Sequence, residues 1–208
     1  AWAHGTAPAK GSFMRVEGAV LSAVLEKENG MAVRVFADKD GGVCTIDVKR
    51  PVAEVHIVDL MGRRFDESLE AAAQVQPDVI LCVGQAGGRE AVTPERIGVN
   101  IRDAKISDNA GNRPVGEFVA ESGPAAYFST VPVMSMADAI QAAELPGQVS
   151  NSAGAFVCND VLYTLLHHYA GTSVKVGFIH VPYLPDQGTP HLPLEKTIAA
   201  LCAAISAC

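Results

Sequence analysis

The chain lacks the marks of a membrane or nucleic-acid protein. No apolar stretch reaches the roughly 18 to 20 residues that span a bilayer, and the opening AWAHGTAPAKGSF lacks the basic-then-apolar order of a secretion signal. Basic residues never run longer than the pairs Lys49-Arg50 and Arg63-Arg64, and the net charge of −7 has the wrong sign for a phosphate backbone. The cysteines at 44, 82, 158, 202 and 208 show no C-x-x-C spacing and are odd in number. That argues against a disulfide framework or a zinc site and leads us to expect reduced thiols and no metal. Internal repeats and low-complexity tracts are also missing. With 49% apolar residues in 208, the expectation is one soluble, cytoplasmic globular domain spanning 1–208.

What is present alternates. Residues 53–60 (AEVHIVDL) read as a strand, 65–76 as an amphipathic helix stopped by Pro77, and 78–84 (DVILCVG) as a strand buried on both faces of a parallel sheet. A strand over 95–104, a turn over 125–133, helices over 136–145 and 155–169, a strand over 175–181 and a helix over 192–207 follow. This rhythm predicts an α/β fold, a three-layer α/β/α sandwich with a mostly parallel central sheet, and places ligands at the carboxyl ends of its strands. The beginning is less regular. Residues 1–13 read as a flexible leader, 15–30 as a helix ending at Asn29-Gly30, and 31–48 as two strands around Asp40-Gly41-Gly42.

Cys158 follows a cluster of small polar residues and opens a helical pattern. With Asn151 or Ser152 as cap and a helix start near Ala153 or Gly154, its thiol sits in or just past the first turn. Free N–H groups there lower a thiol pKa and can hold an oxyanion. A base is then required. His167 and His168 lie roughly 13 to 15 Å further along the same helix and point away, whereas His180 closes the strand 175–181, whose carboxyl end shares an edge with helix N-termini. The loop after strand 78–84, GQAGGREAVTPER, reaches that edge too and carries Glu90 and Glu95. Either carboxylate could orient the imidazole in a Cys-His-Glu arrangement. The loop fits neither G-x-G-x-x-G nor a phosphate-binding P-loop.

These residues also carry a family resemblance. GQAGGR (84–89), TPER (93–96), DAKISDNAGNRPV (103–115), GPAAYFSTVPV (123–133), SNSAGAFVCN (150–159) and GFIHVPYLPDQ (177–187) resemble, in order, the segments of the pyroglutamyl peptidase I, or pyrrolidone-carboxylate peptidase, family. The resemblance runs from about residue 53 to the end. It implies a cofactor-free cysteine peptidase that removes N-terminal pyroglutamate from peptides, with Cys158 as nucleophile, His180 as base and Glu95 as its orienting acid. It further implies a lactam-ring site from Gln85, Ile106, Phe156 and Val157, an oxyanion site at Cys158 and Lys105, and self-association as a dimer or tetramer.

Two departures accompany it. Family members open with a strand and a G-F-E-P-F-G-G type loop, of which VRVFADKDGG (33–42), within the divergent segment 14–52, is only an echo. Lys105 stands in DAKISDN where the family has arginine, and lysine keeps the charge but loses the fork of donors. Hence two further readings accompany the peptidase: a catalytically impaired homologue that binds lactams or peptide ends, and a cysteine amidase for another small N-terminal group.

Overall fold

The computed structural model describes residues 77–107 and 112–208 in full and, as backbone strands, 11–16, 19–26, 32–37 and 43–47. The strand expected over 53–60 and the helix expected over 65–76 lie outside the described residues, as does the turn at 40–42.

A parallel pair organises the described C-terminal part. Strand β5, Val79–Gln85, runs beside β9, Lys175–Val181, with Val79 opposite Lys175 and Gly84 opposite His180. The short β6, Thr93–Pro94, joins β9 on its other side, antiparallel, so that Thr93 faces His180. Val176, Phe178, Ile179 and Val181 give β9 its β-branched and aromatic residues, as suits a strand between two neighbours. Its alternation separates two cores. Val176 and Phe178 pack with Leu162, Leu165 and Leu166 of helix α2, Val157–His168. Ile179 and Val181 pack with Met136 and Ile140 of α1, Val133–Ala142, and with Ile198 and Leu201 of α3, Leu194–Ser206. Helices therefore cover both faces of β9, in the expected α/β layering. Each buried leucine stabilises by about 1.5 to 3 kcal/mol relative to exposure. By the same alternation His180 falls on the α2 face.

Several boundaries differ from expectation. β5 was expected to be the buried central strand, yet it is half-buried, and β9 is the strand with partners on both sides among the described residues. The strand expected over 95–104 is the three-residue β7, Ile97–Val99, and the segment expected as a turn contains its antiparallel partner β8, Ala126–Phe128. α1 starts three residues early and ends where Glu144 turns to a φ of 59°.

The helix expected over 15–30 is instead two strands. β1, Gly11–Val16, and β2, Ala19–Glu26, pair antiparallel in register from Val16 opposite Ala19, which also takes the last residues of the expected leader into β1. β3, Ala32–Ala37, and β4, Val43–Asp47, complete a four-stranded meander and match the two strands expected there. The run AVLSAVLE suits a helix by its i, i+4 spacing, but as β2 it gains a ladder on both edges, and its valines favour the pleat. Cys202 is disulfide-bonded, against the expectation of reduced thiols; Cys82, Cys158 and Cys208 are free. Residue count and spacing do not register which distant elements meet, and that meeting is what a disulfide requires.

Candidate active site

His180 and Glu95 are brought together by backbone pairing before any side chain acts. The antiparallel step of β6 against β9 ends with the Glu95 N–H donating to the Phe178 carbonyl at 2.8 Å. The carboxylate then meets the imidazole on the α2 face, with 2.6 Å between Glu95 Oε1 and His180 Nδ1. Glu95 is 0% exposed and His180 3%. A carboxylate only accepts, so Nδ1 carries the proton and Nε2 is left as the basic nitrogen. Glu90, the other carboxylate on that loop, is exposed at the surface.

Cys158 approaches from α2. The helix begins at Val157 with Phe156 as its N-cap residue, later than the expected start near Ala153, and neither Asn151 nor Ser152 caps it. Those residues belong to a loop wound on its own hydroxyls: Ser150 Oγ accepts from the Ser152 N–H at 3.3 Å, and Ser152 Oγ from the Gly154 N–H at 3.2 Å. Gly154 then takes a φ of 81°, which a side chain would oppose. As the second helical residue, Cys158 keeps its N–H outside the intrahelical ladder. Its sulfur lies over the end of β5, where a Cβ on Gly84 would come within 3.3 Å of Sγ and 2.8 Å of the Phe178 ring. Gly84 is the register partner of His180, so the thiol sits on the strand pair at the level of the imidazole.

The electrostatics reverse one expectation. Burial, followed by the Glu95 charge, pushes the Cys158 thiol up to about 11, outweighing the lowering effects of Arg89 and the Cys158 N–H. At neutral pH it is a protonated thiol, not a thiolate formed by the helix terminus alone. Burial lifts Cys82 on the same face to about 12, with the Cys158 charge adding to it.

Sequence reasoning assigned no role to Arg89. Its Nη1 lies 2.7 Å from Glu95 Oε1 and also donates to Thr93 Oγ1, while Nη2 donates to the Ser152 carbonyl at 3.1 Å. The signal was present, because a buried carboxylate needs a compensating charge, and Arg89 is one of two arginines in the same short loop. Arg89 and Ser152 also line an open cleft of about 840 Å³ between 88–91 and 146–152.

Comparison with known proteins assigns the architecture. The pyroglutamyl peptidase family model matches residues 19–208. The chain belongs to the pyroglutamyl peptidase family. It is 49% identical over 148 residues to the pyrrolidone-carboxylate peptidase of Pectobacterium carotovorum, covering 66% of this chain and 69% of that protein. It is 42% identical over 163 residues to that of Finegoldia magna, covering 75% and 76%. Among solved structures it is similar to pyroglutamyl peptidase I of Bacillus amyloliquefaciens (TM-score 0.68, 39% identity, 73% and 76% covered). It is likewise similar to the pyrrolidone carboxyl peptidase of Thermococcus litoralis (TM-score 0.70, 32% identity, 78% and 81% covered). The family match reaches back to residue 19, well into the segment where the motifs by themselves carried no resemblance.

Within this pyroglutamyl peptidase fold the remaining expected residues differ in burial and in their ties. Gln85 is half-buried and donates from Nε2 to Gln187 Oε1 at 2.6 Å; that oxygen also accepts the Leu184 N–H at 2.7 Å. The Gln85 amide nitrogen is thereby engaged. Phe156 is half-buried, Val157 is 40% exposed, and Ile106 is 68% exposed beside an exposed Lys105. The segment carrying Lys105 and Ile106 is tied to the loop before Phe156 by the Asp103 N–H donating to Ala155 O at 2.8 Å. Further tethers came from no motif reading. Fully buried Asn159 accepts from the Val99 N–H and donates to the Val99 and Ile101 carbonyls, and Arg102 forks onto Asp160 at 2.7 and 3.0 Å. His167, in contrast, meets the Tyr127 hydroxyl at 2.9 Å, and His168 is exposed.

Proposed function

We propose that the chain is a cysteine exopeptidase that removes pyroglutamate from peptide N-termini, with Cys158, His180 and Glu95 as its triad. The observation that carries this reading is the buried 2.6 Å contact between Glu95 and His180, with the Cys158 thiol held over Gly84 at the same register. His180 Nε2 takes the thiol proton as Sγ bonds to the pyroglutamyl carbonyl carbon. The Cys158 N–H, with Lys105 nearby in sequence to the ring site, stabilises the oxyanion. As the C–N bond breaks, the imidazolium returns its proton to the leaving amine. Water, deprotonated by the same nitrogen, then hydrolyses the thioester, releasing 5-oxoproline and the thiol. No cofactor enters these steps.

The ring site in this reading is formed by Gln85, Ile106, Phe156 and Val157. Gln85 can offer its carbonyl oxygen to the lactam N–H, and the apolar residues cover a small neutral ring. A cytoplasmic homo-oligomer completes the proposal, with the oligomeric state to be read by light scattering. Among the described residues no helix is long and apolar enough to cross a membrane.

Release of aminocoumarin from pyroglutamyl-aminomethylcoumarin, against prolyl and glutamyl controls, tests the reading. Turnover of the lactam alone is expected. Lactam binding without turnover would support the impaired homologue, and turnover of another small acyl group would support an amidase.

A further inference from the structure

Every tie to the Glu95 carboxylate runs through one oxygen. Oε1 receives both His180 Nδ1 and Arg89 Nη1, while Oε2 is buried without a hydrogen-bond partner. A carboxylate with 0% exposure needs a compensating charge. His180 must be neutral to accept the thiol proton, so in the resting state that charge comes from Arg89. The guanidinium, 24% exposed, also binds Thr93 Oγ1, the register partner of His180, and the carbonyl of Ser152, on the loop that leads into the Cys158 helix. One planar group thus spans the orienting carboxylate, the strand carrying it and the loop that delivers the nucleophile, three ties that lysine's single ammonium cannot reproduce.

We propose that Arg89 is a positioning residue for the hydrolysis: it holds the Glu95 carboxylate with Oε1 toward His180 and keeps the Ser150–Gly154 loop, and with it Cys158, in register with that pair. This rests on the peptidase reading above. In this assignment Arg89 acts through Glu95, Thr93 and the Ser152 loop, so its removal lowers kcat rather than raising KM. Its charge also opposes that of Glu95 at the Cys158 thiol, which supplies a readout that needs no substrate.

The experiment compares Arg89→Gln, Arg89→Lys, Glu95→Gln and the double variant Arg89→Gln/Glu95→Gln. Two measurements are made: kcat and KM on pyroglutamyl-aminomethylcoumarin, and the pH dependence of Cys158 alkylation by iodoacetamide. Arg89→Gln should lower kcat about 10- to 100-fold, the scale of a small misplacement in a catalytic site, with KM within about twofold. In the Glu95→Gln background the same change should cost less than about threefold, because the two side chains act as a unit. The alkylation midpoint should move up in Arg89→Gln and down in Glu95→Gln. Arg89→Lys should keep the wild-type midpoint while losing part of kcat, and it carries the test should Arg89→Gln fold poorly. Full multiplicative loss in the double variant, an unchanged kcat in Arg89→Gln and Arg89→Lys, or an immobile midpoint would overturn the assignment. If the wild-type chain leaves the coumarin substrate intact, the peptidase reading fails while the alkylation midpoints still decide the role of Arg89 at the thiol.

Discussion

In the proposed mechanism three side chains, Cys158, His180 and Glu95, carry the chemistry, and each is set by a different force. Glu95 is held by pairing, His180 by its place on β9, and Cys158 by the lack of a side chain on Gly84. Cys158→Ser should abolish hydrolysis with the fold intact, because the site is built around a soft, ionisable sulfur; loss of activity with an unchanged melting curve is the expected result. Burial raises the thiol to about 11, so alkylation of Cys158 should climb with pH through that value. A plateau below pH 7 would instead reveal a preformed thiolate–imidazolium pair. Glu95→Gln should reduce kcat by about 100-fold or more, the scale of general-base contributions, whereas exposed Glu90→Gln should leave it within about twofold. Equal losses in a kinetic comparison would remove Glu95 from the proposed triad. His180→Ala should be similarly severe, and His167→Ala mild, since His167 is engaged with Tyr127.

At the scale of elements, the helix carrying Cys158 depends on clamps distant from its own sequence. Asn159 is buried and satisfies three backbone groups on the segment 99–101. Asn159→Ala leaves those groups unpaired in the interior, and an unsatisfied buried polar group costs about 1 to 3 kcal/mol. A destabilisation of about 2 to 4 kcal/mol by urea denaturation is expected, with kcat falling as the helix start loosens. Gly154→Ala tests the loop: its φ of 81° opposes a Cβ, and the expected cost is about 1 to 2 kcal/mol. A wild-type denaturation midpoint in either variant would show that the clamp or the turn does not hold the helix. How much of these elements was legible depended on range. The helix at 157–168 and the strand at 175–181 were readable because hydrophobic period and flanking breakers are local signals. The start of the helix was misplaced because Ser150 and Ser152 bind their own loop, a use of hydroxyls that cannot be distinguished from capping in one dimension.

Among the described residues two partly buried free thiols share one core face, and this gives the protein a pH limit. Cys82 and Cys158 titrate near 12 and 11 in the folded state against an ordinary value of 9.0. The folded chain therefore binds their protons more tightly than the unfolded chain. The resulting stability is complete below pH 9 and is lost as pH rises through about 11 and 12. The melting temperature should fall across that window, and Cys82→Ala, whatever its packing cost at pH 8, should show a shallower fall; parallel curves would place the alkaline loss elsewhere.

The amino-acid sequence alone determined the alternation of strand and helix, the apolar faces that bury β9 between two helical layers, and which few residues could act as nucleophile, base and acid. Those properties follow from residue type and short-range period, which survive without knowledge of distant partners. Only the tertiary structure decided which carboxylate meets His180, where Arg89 spends its charge, that Cys202 is disulfide-bonded, and that residues 11–26 are two strands and not a helix. Each of these depends on groups remote in sequence being brought within hydrogen-bonding or bonding distance. In the buried interior such proximity also sets the sign of the Cys158 shift, because desolvation and the Glu95 charge exist only once the chain has folded around the sulfur.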